Sequence, residues 1–292
     1  YDAVNTDLVT VDINPQLGWR VDERLSVGFG LSAQYADATL SQMVVGDPNA
    51  PPDPATDNKL SVEGDDWSYG FNLGAHYAVT EATQLGIAYR HGMSHTLSGD
   101  AELREELQPG LGTETGGEAD LDIPASLNLG VSHRLDQRWT LLADATWTQW
   151  SDFDELAIQF DEAILVDAAG DPILEQSDDY DWDDTWLLSL GTRFDLNERW
   201  DLRAGVAYDQ TPTGDSNRTP RIPDEDRTWL AVGGSWYPAA AEQLSVDFGY
   251  TYIWLDDAEI TVADREELPD DPVDGEYESN VQIFAASANW RF

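Results

Sequence analysis

Apolar and polar residues alternate one for one along run after run of this chain, and that two-residue period limits the fold more than any other feature. In Trp139-Thr140-Leu141-Leu142-Ala143-Asp144-Ala145-Thr146-Trp147 the odd positions are all apolar, while the even positions carry Thr140, Asp144 and Thr146. Successive strand side chains point to opposite faces, so such a run makes a β-strand with one greasy and one wet face. The last run repeats the pattern, with Phe284, Ala286, Ala288, Trp290 and Phe292 on one parity and Ala285, Ser287, Asn289 and Arg291 on the other. A terminal alternating strand that stops on an aromatic points to an all-β, antiparallel transmembrane β-barrel of the outer-membrane kind.

Alternation and turn residues place eleven strands, near 8-21, 25-42, 66-79, 83-99, 120-135, 139-158, 184-196, 200-211, 227-237, 243-259 and 277-292, in one meander. Tight turns at Asp22-Glu23, Thr80-Glu81, Asp136-Gln137, Asn197-Glu198 and Pro238-Ala241 alternate with long polar loops. In outer-membrane barrels the short turns are periplasmic and the long loops face outward. Trp19, Trp139, Trp200, Trp236 and Trp290 gather near the short-turn ends and read as the lower aromatic girdle. The first and last strands both run toward the short-turn side, and two such strands cannot pair antiparallel. The expectation is one barrel domain over 1-292, truncated at its N-terminus, with an odd number of strands missing before Tyr1.

Composition fits a barrel better than it first suggests. With 57 acidic against 15 basic residues, a net charge of -42 and a mean hydropathy of -0.44, the chain is too polar for membrane helices. A spanning helix needs roughly 20 apolar residues in a row, whereas a barrel strand needs about 10 with every second one apolar. Lys59 is the only lysine, which argues against nucleic acid, because phosphate binding draws on clustered Lys and Arg. The absence of cysteine removes disulfides and thiolate metal sites.

Ten carboxylates and no base lie between Asp161 and Asp184. A solvated acidic surface suited to high salt, and so a halophilic or marine source, is the preferred reading over a divalent-cation site. No metal or cofactor is expected. His91-Gly92-Met93-Ser94-His95 is the nearest approach to a hydrolase constellation, but Ser94 and His95 should face opposite sides of a strand, so catalysis is not expected.

Tyr208-Asp209-Gln210-Thr211-Pro212, Asn217-Arg218 and Ile222-Pro223-Asp224-Glu225-Asp226-Arg227-Thr228-Trp229-Leu230 together resemble the FadL/OmpP1/TodX family of long-chain fatty acid and hydrocarbon transporters. Trp150-Ser151-Asp152-Phe153, Leu121-Asp122-Ile123-Pro124-Ala125-Ser126 and Trp200-Asp201-Leu202-Arg203-Ala204-Gly205 extend the resemblance over nearly the whole chain. It implies a Gram-negative outer-membrane protein, a fourteen-stranded barrel with an N-terminal plug, and a chain corresponding to strands four to fourteen. It also implies passive diffusion of a hydrophobic ligand through the lumen to a lateral exit, a monomer, and lipid around the wall. A general porin-like or structural barrel is the alternative, and an outer-membrane phospholipase a more distant one.

Candidate ligand contacts by parity are Trp150 and Phe153 at the outer mouth, with packing of the strand-to-loop junction as the competing role. Arg90 is the candidate for a carboxylate headgroup. Gln42 stands where the family resemblance suggests a basic residue, which weakens carboxylate recognition there. Inward parity places Arg20, Arg134, Arg193, Arg203 and Arg291 near the periplasmic end, with Asp195, Asp201 and Asp247 at similar depth. That belt would rigidify the wall, seat a plug or steer an anion. Asp209, Pro212, Arg218, Pro223, Asp226 and Arg227 are carried over from the family motif as a loop-folding cluster. The loop at 43-60, with Pro48, Pro51, Pro52 and Pro54, reads as a reduced version of the family's extracellular groove.

Overall fold

The computed structural model describes residues 4-44, 57-107, 110-167, 170-215, 217-241, 243-262 and 273-291. The first expected run is two strands, β1 (Asn5–Ile13) and β2 (Gln16–Arg20), and both pair with β3 (Leu25–Val44). Pro15, between them, has no amide hydrogen to give the ladder. β3 pairs in unbroken register with β4 (Asn58–Ala78), which begins eight residues before the expected run; Pro48, Pro51, Pro52 and Pro54 lie outside the described residues.

Three further expected runs are also broken. The run at 83-99 is β5 (Thr83–Arg90) and β6 (Met93–Leu103), and the run at 120-135 is β7 (Glu114–Ile123) and β8 (Ser126–Arg134). The run at 139-158 is β9 (Trp139–Thr148) and β10 (Glu155–Phe160), parted by a 3-10 turn at Trp150–Asp152. The breaks have local causes. Pro124 interrupts the β7–β8 line, and at Gly92 a Cβ would come within 2.9 Å of the Ile123 carbonyl oxygen, so glycine lets the kinked backbones meet.

The short hairpin β11 (Leu165–Val166) and β12 (Pro172–Ile173) and the strand β13 (Glu175–Asp179) follow. The remaining elements are β14 (Thr185–Asn197), β15 (Trp200–Asp209), β16 (Arg227–Trp236), β17 (Leu244–Leu255), β18 (Ala258–Val262), β19 (Val273–Tyr277) and β20 (Asn280–Trp290). The run expected at 243-259 stops at Leu255, and β18 instead forms a separate hairpin with β19.

Every strand pairing among the described residues is antiparallel. A lower tier near the short turns runs β4–β5–β8–β9–β14–β15–β16–β17–β20, and an upper tier near the long loops runs β4–β6–β7–β10–β13. The two tiers part at the three breaks. Among the described residues no ladder joins β20 to β1 or β2, so the expected barrel is an open wall there, with all three strands exposed along their length.

Register sorts the side chains into rows. Leu17, Phe29, Leu73, Tyr89, Leu127, Trp147 and Trp186 are successive cross-strand partners on the apolar face. One residue along, Gln16, Gly30, Asn72, Arg90, Ser126, Thr148 and Thr185 form the facing row on the polar side. Trp139 packs on Phe194 with ring centroids 4.5 Å apart, and Trp200 stacks on Trp236 at 6.1 Å, both on the apolar face near the short turns.

Candidate functional site

The polar face changes character toward the long loops. On the lower tier it carries groups such as His76, Gln84, Asn128 and Asp144, with Asn128 donating to Asp144 at 2.9 Å and to Thr146 at 2.8 Å. On the upper tier the same parity turns apolar. Val44, Leu60, Ala101, Leu103, Phe160, Ile164 and Leu165 are buried together, with Val62, Leu107, Ile158 and Ile173 packed around them. Alternate residues of β6 are accordingly buried, from Met93 through Leu97 to Leu103, while Ser94, Thr96 and Ser98 stay exposed.

A narrow cleft borders this cluster. Leu40, Leu60, Val62, Leu156 and Ile158 line its apolar part, and Gln42, Gln176, Asp178 and Arg221 its polar end. Arg221 arrives from the β15–β16 connection, far away in sequence, and donates to Thr6 Oγ1 at 2.9 Å and to Gln42 Oε1 at 3.4 Å. A guanidinium therefore lies where the sequence showed only a neutral amide. Arg221 falls between the family-like segments Asn217-Arg218 and Ile222–Leu230, and nothing in its neighbourhood announces a contact with β1 and β3.

Beside the cleft lies an aromatic cluster. Phe153, Tyr180 and Trp182 are buried against Leu121, Trp150, Leu156 and Ile222. Phe153 is 4.7 Å from Trp182 and 5.1 Å from Tyr180, and Trp150 meets Trp182 edge-on at 5.1 Å. The 3-10 turn breaks the parity that was to aim Trp150 at the lumen, and Phe153 has most of its ring covered by neighbours. Asp181, between the two buried aromatics, has φ of 46° and is the non-glycine residue with positive φ among the described residues. The N–H groups of Tyr180 and Asp181 donate to Asp154 O at 2.7 and 3.0 Å, which fixes the chain beside the buried rings. Burial pushes the Tyr180 phenol up to about 12, with Asp178 adding to the shift.

The other sequence candidates are dispersed. Arg90 forms an ion pair with Asp12 at 3.1 Å on the polar face of the lower tier. Near the short turns, Arg193 and Arg203 converge on the buried Asp201 at 3.4 and 3.1 Å, and Tyr237 donates to the same carboxylate at 3.0 Å. Asp247 accepts from Ser235, Ser287 and Asn289 rather than from an arginine. Arg20 donates to Asp22 O at 3.2 Å and Arg134 to Glu81 O at 3.1 Å, so both brace turns. Arg291 is exposed at the foot of the wall.

The β15–β16 connection is a dense polar knot. Arg218, with 1% of its side chain exposed, binds Asp215, Glu225, Asp224 O and Glu259 O. Arg227 bonds Asp224 at 3.0 Å and lies 3.7 Å from Asp209, while Asp226 accepts from Tyr208 and from the Thr211 N–H. Pro212 O accepts the Asp183 N–H at 2.9 Å, which ties this loop to the aromatic segment, and Pro223 sits inside the knot.

Carboxylates from the 161-184 run do not converge among the described residues. Those that do are Asp257, Glu276 and Glu278, all exposed, and Asp257 raises the Glu276 carboxyl by like-charge repulsion. Ser94 and His95 face opposite sides, and His95 is fully buried beside Gln34 at 3.2 Å and Asp66 at 3.4 Å.

A wall with one apolar and one polar face, an apolar pocket at its long-loop end and aromatics at its foot is the architecture that a family comparison finds. The family model described as outer membrane protein transport protein (OMPP1/FadL/TodX) matches residues 1-292. The chain belongs to the OmpP1/FadL/TodX family. Members are β-barrel proteins of the Gram-negative outer membrane, and the family is one of transporters and channels. A long-chain fatty acid transport protein of Salmonella typhi is 27% identical, over 98% of this chain and 67% of its own length. Outer membrane protein P1 of Haemophilus influenzae is 27% identical over 85% of this chain and 56% of its own length. A FadL homologue of Pseudomonas aeruginosa superposes with a TM-score of 0.84 at 29% identity, covering 99% of this chain and 69% of that one. The CymD monoaromatic hydrocarbon channel, at 23% identity and a TM-score of 0.66, shares the fold. This OmpP1/FadL/TodX chain thus spans between about half and about two thirds of the relatives it matches.

Proposed function

We propose that this chain forms the wall of a passive outer-membrane channel for long-chain fatty acids or comparable hydrophobic small molecules, built as one barrel unit with a lateral exit to the bilayer. The observation that carries the reading is the family match over residues 1-292 on a wall with one apolar and one polar face and an apolar cluster at its long-loop end. The cleft lined by Leu40, Leu60, Val62, Leu156 and Ile158 has a volume of only about 20 Å³, room for a water-sized group, so an aliphatic chain enters only if the loops above it part. Its carboxylate, if it has one, would compete with Asp178 for Arg221 beside Gln42 at the polar end, where a guanidinium fork suits two oxygens. Trp150 and Phe153 belong to the aromatic cluster that borders this path, and Arg90 offers a second cation deeper on the polar face. The names of the relatives, fatty acid transport proteins among them, support the same substrate class.

Flux through such a path needs no turnover. The test is uptake by liposomes containing the full chain. Labelled oleate should enter faster than into empty vesicles and glucose should not. Arg221→Gln should slow oleate several-fold while leaving an aromatic hydrocarbon unchanged, because only the carboxylate loses a partner. Free passage of glucose with no gain for oleate or hydrocarbon would replace the proposal by a general porin.

A further inference from the structure

Three of the short connections repeat one four-residue pattern: Asp22-Glu23-Arg24-Leu25, Asp136-Gln137-Arg138-Trp139 and Asn197-Glu198-Arg199-Trp200. In each, the first side chain closes the turn by accepting backbone N–H groups. Asp22 Oδ1 takes those of Arg24 and Leu25 at 2.7 and 2.8 Å, and Asp136 Oδ1 those of Arg138 and Trp139 at 2.7 and 2.9 Å. Asn197 Oδ1 takes that of Arg199 at 2.9 Å. The β4–β5 turn uses Thr80 Oγ1 for the same purpose and carries no arginine. Turn closure therefore explains the first position of the pattern and leaves the arginine unexplained.

The arginines are exposed, and no guanidinium among Arg24, Arg138 and Arg199 makes a hydrogen bond or an ion pair with another described residue. Arg90, Arg193, Arg203, Arg218 and Arg227, higher on the wall than these turns or in its loops, are paired with carboxylates, whereas Arg20 and Arg134 near the short turns bond only backbone carbonyls. The fourth position of each pattern is constant in another way. Leu25 is the cross-strand partner of Tyr77, Trp139 of Phe194 and Trp200 of Trp236, all on the apolar face that meets the bilayer. Each of these exposed guanidinium groups is one residue from a side chain on that face, and Arg24 and Arg138 also feel the charge of Asp22 and Asp136 in their own turns.

We propose that this repeated turn is a phospholipid-headgroup site, in which Arg24, Arg138 and Arg199 bind the phosphodiester of anionic lipids in the leaflet on the short-turn side. A guanidinium presents a planar fork of donors that fits two phosphate oxygens, and a neighbouring interfacial tryptophan sits at headgroup depth. Anionic lipid is drawn to arginines near the surface. The turns also carry Asp22, Glu23, Asp136 and Glu198, so the attraction proposed is a local one of each guanidinium for a phosphodiester and not that of a net positive surface. The proposal rests on membrane-facing geometry and is independent of what passes through the channel.

The test uses the full chain folded in neutral detergent. Native mass spectrometry would count bound short-chain phosphatidylglycerol against phosphatidylcholine, with inorganic phosphate as a third arm. Phosphatidylglycerol should bind roughly tenfold or more tightly than phosphatidylcholine, and Arg24→Gln/Arg138→Gln/Arg199→Gln should abolish the difference. The corresponding triple lysine variant should keep most of it, and inorganic phosphate should neither bind nor compete at matched concentration. Equal affinity of the wild-type chain for the two lipids overturns the proposal, even if the glutamine variant fails to fold. So does a preference that survives in the folded glutamine variant, or competition by inorganic phosphate as effective as that by the lipid.

Discussion

Asp181 takes a left-handed backbone between two buried rings, Tyr180 and Trp182, and Asx residues accept that conformation more readily than bulky ones. The cost is carried by burial of two rings against Phe153. Tyr180 reports on that burial, because its phenol is raised from 10.0 to about 12, first by loss of water and then by Asp178. The raised folded value favours the protonated, neutral ring, so this contribution is complete below pH 10 and disappears as pH climbs from 10 through about 12. In a phenolate absorbance titration, Tyr180→Phe should remove an ionisation only at the alkaline end. Loss of an ionisation near pH 10 would mean that the ring is in water.

Elements here are shaped by interruptions. The lower tier keeps the register that alternation foretold, while Pro124, Gly92 and the turn at Trp150–Asp152 free the upper tier to bury its polar-side parity under the loops. The knot between β15 and β16 then brings Arg221 and Ile222 to the cleft and the aromatic cluster. Arg218 holds the knot through partners on its own loop and on β18. Removing one member of a buried ion cluster leaves uncompensated charge and typically costs about 3–5 kcal/mol. Arg218→Ala should therefore lower unfolding stability by an amount of that order and open 211-226 to protease, with Arg218→Lys intermediate. A change within about 0.5 kcal/mol, as at an ordinary surface site, would show that proline and backbone bonds hold the loop without it.

At the scale of the whole molecule, the net charge of -42 should be felt as self-repulsion. Raising ionic strength from 0.1 to 1 M shortens the screening length from about 10 to about 3 Å, so the thermal midpoint of the folded chain should climb with NaCl. A midpoint indifferent to salt would mean that the acidic loops lie too far apart to interact. The sequence by itself determined the antiparallel meander, the apolar and polar faces and the aromatic foot, because a period of two and a tight turn are local signals, and its motifs carried the resemblance to the family. The loop motif with Arg218 and Arg227 came only through that resemblance. Only the tertiary structure decided that Trp150 leaves its strand, that Phe153 is covered, and that Arg221 crosses to Gln42 and Thr6. Those outcomes depend on which distant segments share the upper end of the wall, and the energy of burying them overrides the parity a strand would have kept alone.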